Sequence, residues 1–387
     1  MINTSIIIIG LGITSKLAAL TLASNGRKIL IIGDEKLKKQ SSNLVTFFSL
    51  TSINFLSELH LDDVINQSSP INEISCGKLE DLKKKNKFQI HFQESNNELG
   101  RVISNKILNE ILNAKLRENK NINVLKNTSI ENCRFLKEEN ILLLENGEKI
   151  YTKLIVITEK KTSLIDQNFK NSLVKKDLKQ TSLVLDVKSR TKNHAYQIFT
   201  KKGPIAYLPI NENHASVIWS LDNSSQELAY NKDEVLKEVN QFYKDIIFCN
   251  EVINMQKYKL EFEYRKKTSL ESVVLIGDAA HSIHPIAGQG LNLSIKDILE
   301  LKKQINKFSY LGYALGNSIS LSEFTNLRLS DTVLYSFSTI YLDEIFKNRN
   351  YLVDKVSNFG IKAIEKNNTI KNMEASSTCL IDLYSYI

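Results

Sequence analysis

A mixed α/β fold is what the sequence predicts: a Rossmann-like sheet, a β-rich second domain set into it, and a helical C-terminal region. Three observations carry this. The chain opens on a strand–helix–strand unit of about thirty residues. Its middle, 180–222, reads as short strands and turns. A late buried strand, VVLIG at 273–277, then passes through a loop into a helix, and the chain beyond 315 is mostly helical in pattern.

The elements follow in order. SIIII at 5–9 is short, apolar and β-branched, as a strand buried on both faces requires. KLAALTLAS, ending at Ser24, is helical, and KILII at 28–32 is a second buried strand. Amphipathic helices are expected over 50–60 and 105–118, the latter placing Ile107, Leu108, Ile111, Leu112 and Leu116 on one face. Strands follow across 121–157, with a turn at Asn146-Gly147. A helix is expected over 231–245, and another from near Gly290.

Length and composition bound the function. A chain of 387 residues allows two or three domains, and 42% hydrophobic with 24% charged residues excludes a disordered, collagen-like or coiled-coil protein. The apolar start, Ile6 to Ile13, is too short to span a bilayer and no secretory signal is visible, so a cytoplasmic address is expected. The formal charge is +8. A basic balance fits either an anionic surface or a genome-wide bias, and only eight of the 51 basic residues being Arg favours the bias. No nucleic-acid partner is expected. Cys76, Cys133, Cys249 and Cys379 lie far apart, which gives neither a zinc spacing nor a redox pair.

Two motifs carry the chemistry. After the first strand stands Gly10-Leu11-Gly12-Ile13-Thr14-Ser15, a G-x-G-x-x-G pattern with Ser in the third place. Gly10 permits a tight turn, Gly12 lets backbone approach a pyrophosphate, and a small Ser15 lets helix pack on strand. The helix N-terminus then faces the phosphates. A plain structural turn is the simpler alternative. Asp34 and Glu35 follow the second strand, and either stands where a ribose hydroxyl is held; Asp34 is the first candidate.

The second motif is denser: VVLIGDAAHSIHPIAGQGLNLSIKDI at 273–298. Asp278 follows a buried strand, where a carboxylate can take a sugar hydroxyl. Pro285, Gly288, Gln289 and Gly290 lead to Leu291 and Asn292 at a helix start, where backbone N–H groups can approach a flat or anionic ligand. His281 and His284 stand three apart in a loop with no third ligand in evidence, so no metal is expected there. Trp219, Tyr207 and Phe199 read as core rather than as a ring pocket.

The block GDAAHSIHPIAGQGLNL resembles the second FAD-binding motif of the flavin aromatic hydroxylases, specifically the ubiquinone-biosynthesis ring hydroxylases. NHAYQIFT at 193–200, GPIAYLPI at 203–210 and SVIWS at 216–220 are similar to that family's substrate domain. FFSLTSINFL at 47–56 is similar to its post-strand helix, and LGRVISNKIL at 99–108 to its segment carrying Asn105. Leu321, Phe324, Arg328 and Asp331 match its late helix.

The resemblance implies a para-hydroxybenzoate hydroxylase-like fold. Its FAD-binding domain would comprise 1–75, 99–166 and 265–315, its substrate domain 76–98 and 167–264, and its helical region 316–387. It implies an extended FAD held by Gly10, Gly12, Ser15, Asp34, Asn105 and Asp278, and by the run Pro285, Gly288, Gln289, Gly290, Leu291 and Asn292, with Pro285 and Gly288 bordering the ring. It implies NAD(P)H as electron donor, a flavin hydroperoxide as oxidant and a polyprenyl phenol as substrate. Other quinone-biosynthesis proteins and a peripheral site on the inner face of the membrane are possible partners.

The sequence departs from the family in places. Leu44 stands where the family has Arg, and Asp166 likewise. Its alanine-aspartate-glycine motif reads Thr158-Glu159-Lys160 here, with Lys160 for a glycine that can need positive φ. A non-enzymatic flavin-binding or assembly partner is therefore the alternative reading.

Overall fold

The computed structural model describes residues 2–34, 44–80, 82, 90–93, 98–136, 139–244, 246–282 and 290–347, with backbone alone at 90 and 334–347. Two eight-stranded sheets and one three-stranded sheet organise them.

The first sheet has the strand order Ser269–Leu270, Val273–Leu275, Lys149–Ile157, Ile2–Ile9, Ile29–Gly33 and Ile122–Lys126. Along this path every pairing but that of Ser269–Leu270 with Val273–Leu275 is parallel. Ile130–Phe135 and Asn140–Leu144 add an antiparallel extension to it. Alternate side chains of each central strand feed opposite cores. Ile6, Ile8, Leu154 and Val156 pack under helices Ile13–Leu22, Asn105–Glu118 and Gly290–Tyr310, and Ile7, Ile9, Ile155 and Ile157 pack against Leu142, Leu164 and Phe169. Burial on both faces explains why these strands are continuous apolar runs.

The central strand Ile2–Ile9 is flanked by Ile29–Gly33 on one side and Lys149–Ile157 on the other, so the connections diverge at its carboxyl end. Such a switch point opens a crevice in which ligands of doubly wound sheets bind.

The second sheet runs in the order His281–Ser282, Cys249–Arg265, Leu173–Ser189, His214–Asp222, Gly203–Asn211, His194–Thr200, Glu73–Lys78 and Ile90–Gln93. One face carries Trp219 and Tyr207, fully buried in a core that includes Val235, Val239 and Phe242 of helix Lys232–Phe242. Both aromatics are thus core, as is the buried Phe199. Asn231 caps that helix in a reciprocal capping box with Glu234.

The structure differs from the sequence expectations in two elements. Residues 47–49 extend a strand, Val45–Ser49, before helix Leu50–Glu58 begins; Phe47 pairs with Val102 in the three-stranded sheet. Cys249–Arg265 forms a 17-residue strand along Leu173–Ser189, where the sequence shows only polar alternation because that strand is largely half-exposed. The long helix Ser318–Lys347 brings Leu321 and Phe324 onto the core containing Ile298, Leu301 and Ile305 of Gly290–Tyr310. No helix among the described residues is long and apolar enough to cross a membrane.

Candidate functional site

Four neighbouring strands of the first sheet end at one place, and each delivers a site segment. Ile9 leads into Gly10-Leu11-Gly12, Gly33 into Asp34, Ile157 into Thr158-Glu159-Lys160, and Leu275, by way of Ile276, into Gly277-Asp278. A cavity of about 780 Å³ opens there, within the range of ligand pockets. Its wall includes Gly12, Asp34, Asn105, Glu159, Lys160, Asp278, Gly290 and Leu291. The opposite wall belongs to the second sheet: Ser182, Val184, Ile218, Tyr258 and Leu260. The two sheets therefore share one chamber.

The first turn is built to leave its backbone bare. Gly10 sits at φ +126°, and a Cβ there would lie 2.4 Å from Thr158 Oγ1. Ser15 is fully buried and its hydroxyl meets Thr158 Oγ1 at 2.6 Å, so it locks the helix to the strand Lys149–Ile157. Gly12 is the N-cap of helix Ile13–Leu22, which has no side-chain cap, and among the described residues nothing lies within 4 Å of where its Cβ would be. Uncapped N–H groups thus face open space at a positive dipole end, a ready site for an anion.

Acids border this turn. Burial, and then Asp34, push the Glu159 carboxyl above its ordinary range. Two close carboxylates next to a phosphate cradle suit ribose hydroxyls, which can donate to both. Leu44 lines the cavity, and its carbonyl accepts from the Asn105 N–H at 3.0 Å. Thr46 donates to Asn105 Oδ1 at 2.9 Å.

Asp278 is exposed into the cavity it lines. The protein packed around it raises its carboxyl above the ordinary range, with Lys160 and His281 opposing. Lys160 also sits 3.3 Å from Glu263 on the second sheet. Its backbone lies outside the left-handed region, so the glycine of the related motif is not required for the turn found here.

A buried network that the sequence did not reveal holds the Asp278 turn. Asp297, on Gly290–Tyr310, accepts from the Gly277 N–H at 2.9 Å and bonds His281 Nε2 at 2.7 Å. Arg328 Nε donates to the other Asp297 oxygen at 2.7 Å, and Arg328 also pairs with Asp331. Burial alone would raise the Asp297 carboxyl, but His281, Arg328 and the Gly277 N–H hold it at about 2. Arg265 fastens the turn from its other side, donating to the carbonyls of Ala279 and Phe169 at 3.1 and 2.9 Å. Gly277 has φ +57°, and a Cβ there would come within 2.9 Å of Thr14 Cγ2 and 3.0 Å of Ser294 Oγ. The turn is therefore wedged between the starts of the two motif helices. The matched late-helix pattern of Arg328 and Asp331 was the one sequence signal for this network.

The structure separates the candidates. Gly12, Asp34, Asn105, Asp278, Gly290 and Leu291 line the cavity, whereas Gly10 and Ser15 shape its turn from behind. Asn292 is buried and ties helix to sheet: it accepts from the Ser49 N–H at 3.2 Å and donates to the Phe47 carbonyl at 2.7 Å. Its side chain thus positions the helix that carries Gly290 and Leu291. Pro285, Gly288 and Gln289, with His284, lie outside the described residues.

A phosphate cradle beside a carboxylate pair, at a switch point and under a second sheet, defines a dinucleotide-type flavin site, and the residues present fit FAD. The chain belongs to the FAD binding domain family, whose pattern matches residues 3–310. FAD is its cofactor. It is similar to the ubiquinone biosynthesis monooxygenase COQ6, mitochondrial, of Dictyostelium discoideum, 24% identical over 95% of this chain and 89% of that protein. It is also similar to the ubiquinone hydroxylase UbiL of Rhodospirillum rubrum, 23% identical over 95% of this chain and 87% of that one. In fold it matches p-nitrophenol 4-monooxygenase PnpA of Pseudomonas putida, with a TM-score of 0.75 at 13% identity, covering 100% of this chain and 99% of that one. The para-hydroxybenzoate hydroxylase-like architecture expected from the sequence is the one found.

Proposed function

We propose that this protein is an FAD-dependent monooxygenase that hydroxylates the ring of a polyprenylated phenol in ubiquinone biosynthesis, with NAD(P)H as electron donor. The observation that carries it is the shared chamber: the flavin-type cradle and the wall of the second sheet bound a single cavity. The names of the relatives, a ubiquinone biosynthesis monooxygenase and a ubiquinone hydroxylase, support the substrate class.

FAD, when bound, supplies the electron transfer and the activation of dioxygen. The chain supplies position and dryness. The Gly12 turn and the start of Ile13–Leu22 hold the pyrophosphate, Asp34 and Glu159 take ribose hydroxyls, and Asn105 lies alongside. Asp278 accepts from a sugar hydroxyl farther along. Gly290 and Leu291, continuing the run of Pro285, Gly288 and Gln289, border the ring. Among the described residues nothing lies within 4 Å of a would-be Cβ at Gly290, so backbone can approach a flat ligand. Val184, Ile218 and Leu260 give the opposite wall apolar surface that keeps water from the reacting centre. We assign the division of labour accordingly: 1–75, 99–166 and 265–315 hold the cofactor, 76–98 and 167–264 cover the substrate, and 316–387 is a separate C-terminal region, of which Leu321 and Phe324 pack on the cofactor-binding core.

Asp278→Ala tests the cofactor assignment. Losing a hydrogen bond to a charged group costs about 1.5–3 kcal/mol, or roughly ten- to hundred-fold in FAD affinity. Flavin fluorescence titration reads it, with Lys188→Ala, a surface change far along the second sheet, expected to bind as the parent does. Equal FAD affinity for Asp278→Ala and parent would sink the role given to Asp278.

A polyprenyl phenol partitions into lipid, each buried CH₂ contributing about 0.8 kcal/mol. The protein then meets its substrate peripherally at a membrane surface. Tyr310, Leu311, Tyr313 and Ile319 stand exposed around the link between the two long helices and offer apolar surface for this. The sequence of 333–346, VLYSFSTIYLDEIF, sets Leu334, Phe337, Ile340, Tyr341 and Ile345 near helical spacing, and it lies within helix Ser318–Lys347; the side chains of 334–346 lie outside the described residues. Flotation with anionic vesicles is expected to carry part of the protein upward at low salt and less at high salt. Complete absence from the floated fraction in both would rule surface docking out.

A further inference from the structure

The far edge of the second sheet holds a cluster that the proposed reaction does not use. Strands Glu73–Lys78, Ile90–Gln93 and His194–Thr200 lie side by side there. Their register sets Glu73 opposite His194, and Ser75 opposite both Tyr196 and His91. Alternation along each strand brings Glu73, Ser75, His91, His194 and Tyr196 onto one face. Tyr196 packs on the core beneath helix Lys232–Phe242, so this is the face turned away from the flavin chamber.

The contacts are close and reciprocal. One oxygen of Glu73 lies 3.3 Å from His194 Nδ1 and 3.6 Å from His91 Nε2. The remaining ring nitrogens, His194 Nε2 and His91 Nδ1, each meet Ser75 Oγ at 2.8 Å. Tyr196 stacks on His194 at 4.1 Å between centroids, fixing the plane of that ring. The three ligand-type atoms of Glu73, His91 and His194 lie within 4.8 Å of one another.

The two contacts at Ser75 Oγ are hydrogen bonds, and the hydroxyl can accept an N–H from each ring. The opposite ring nitrogens then face the same Glu73 oxygen at 3.3 and 3.6 Å without a hydrogen bond to it, while Gln93 Nε2 donates to the other Glu73 oxygen at 3.4 Å. A metal ion between Glu73 and the two facing nitrogens would use all three as ligands. Both imidazoles then direct their N–H groups at Ser75 Oγ, which has two lone pairs to receive them. Metal-bound imidazoles commonly place their second N–H on such an acceptor.

We propose that Glu73, His91 and His194 form a divalent-metal site of the zinc type, bound through a Glu73 carboxylate oxygen, His91 Nε2 and His194 Nδ1. Ligand bonds of about 2.0–2.2 Å at tetrahedral angles set ligand atoms about 3.3–3.5 Å apart, close to the two separations found. Two imidazoles with a carboxylate favour zinc over magnesium or calcium, which take oxygen ligands. The exposed side of His91 leaves the fourth place to water. The ion would clamp Ile90–Gln93, which pairs on one side only among the described residues, to the sheet. No spacing in the sequence announces the site, because its ligands stand on three separate strands.

The test titrates zinc chloride into the full-length, FAD-loaded protein, read by calorimetry and by thermal unfolding. One zinc per chain and a rise in Tm are expected. His91→Ala removes an exposed ligand, and Glu73→Gln keeps the shape but not the charge. Each is expected to lose at least about a hundred-fold in zinc affinity while retaining the parent far-ultraviolet circular dichroism and FAD content. Ser75→Ala, which touches no metal, is expected to weaken zinc by about 10- to 100-fold. Absence of stoichiometric binding, or unchanged zinc affinity in His91→Ala or in Glu73→Gln, would overturn the proposal.

Discussion

Gly12→Val is expected to fold as the parent does and to lose FAD binding by about a hundred-fold or more, about 2.8 kcal/mol. Its backbone sits at φ −71°, ψ 178°, which any L residue adopts, and a Cβ there meets nothing within 4 Å among the described residues. Replacing Gly at an N-cap with a β-branched residue costs the helix about 1 kcal/mol. The larger loss comes from the ligand: the branched side chain fills the space through which phosphate reaches the bare N–H groups of Ile13–Leu22. Gly10→Ala is the complementary case. The residue is two positions away, but its φ of +126° and the 2.4 Å approach to Thr158 Oγ1 make that substitution a folding defect first. Parallel fluorescence and circular dichroism titrations separate the two effects. Parent-like FAD affinity in folded Gly12→Val would remove the phosphate from this turn.

Asp297→Asn is expected to cost about 3–5 kcal/mol of stability, as removal of one partner from a buried ion pair does. The side chain is about 2% exposed and serves Gly277, His281 and Arg328 together, so its loss leaves the buried Arg328 guanidinium with the half-exposed Asp331 as a carboxylate partner and removes the acceptor of the Gly277 N–H. The pH dependence carries a sign. The folded carboxyl is held at about 2, against an ordinary value of 3.8, so its contribution is fully present above about pH 4 and fades as pH falls toward 2. Urea unfolding of parent and variant between neutral and acid pH should show a constant gap that narrows only below about pH 4. A gap that is absent at neutral pH would mean the network does not support the turn. Asp297 is a positioning residue here: FAD affinity should fall with the disorder of the Asp278 turn, while the Gly12 cradle remains intact.

The contrast between the two motifs shows what a sequence can disclose. The strand–turn–helix around Gly10 and Gly12 is local, so apolar runs and two glycines were enough to place it. Asp278 was legible for the same reason, standing just after a buried strand. The supporting contacts were not, because they are made across the fold. Thr158 meets Ser15 over 143 positions and Arg328 meets Asp297 over 31. Asn292 lies in the motif, and the contacts of its side-chain amide with Ser49 and Phe47, 243 and 245 positions away, are ones no local pattern announces. The strand Cys249–Arg265 hid for a different reason. Its partners are a long neighbour on one side and a two-residue strand on the other, and much of it is half-exposed, so its alternation is mostly polar.

Ring hydroxylation is tested most directly by the fate of oxygen. FAD-loaded protein is incubated with NAD(P)H, a short-chain polyprenyl phenol and isotopically labelled dioxygen, and the product is weighed by mass spectrometry. A ring-hydroxylated product carrying one labelled oxygen atom is expected, with NAD(P)H oxidation that rises when the phenol is added. Unmodified phenol from yellow, folded protein, or a hydroxyl oxygen drawn from water, would contradict a monooxygenase acting on this ring.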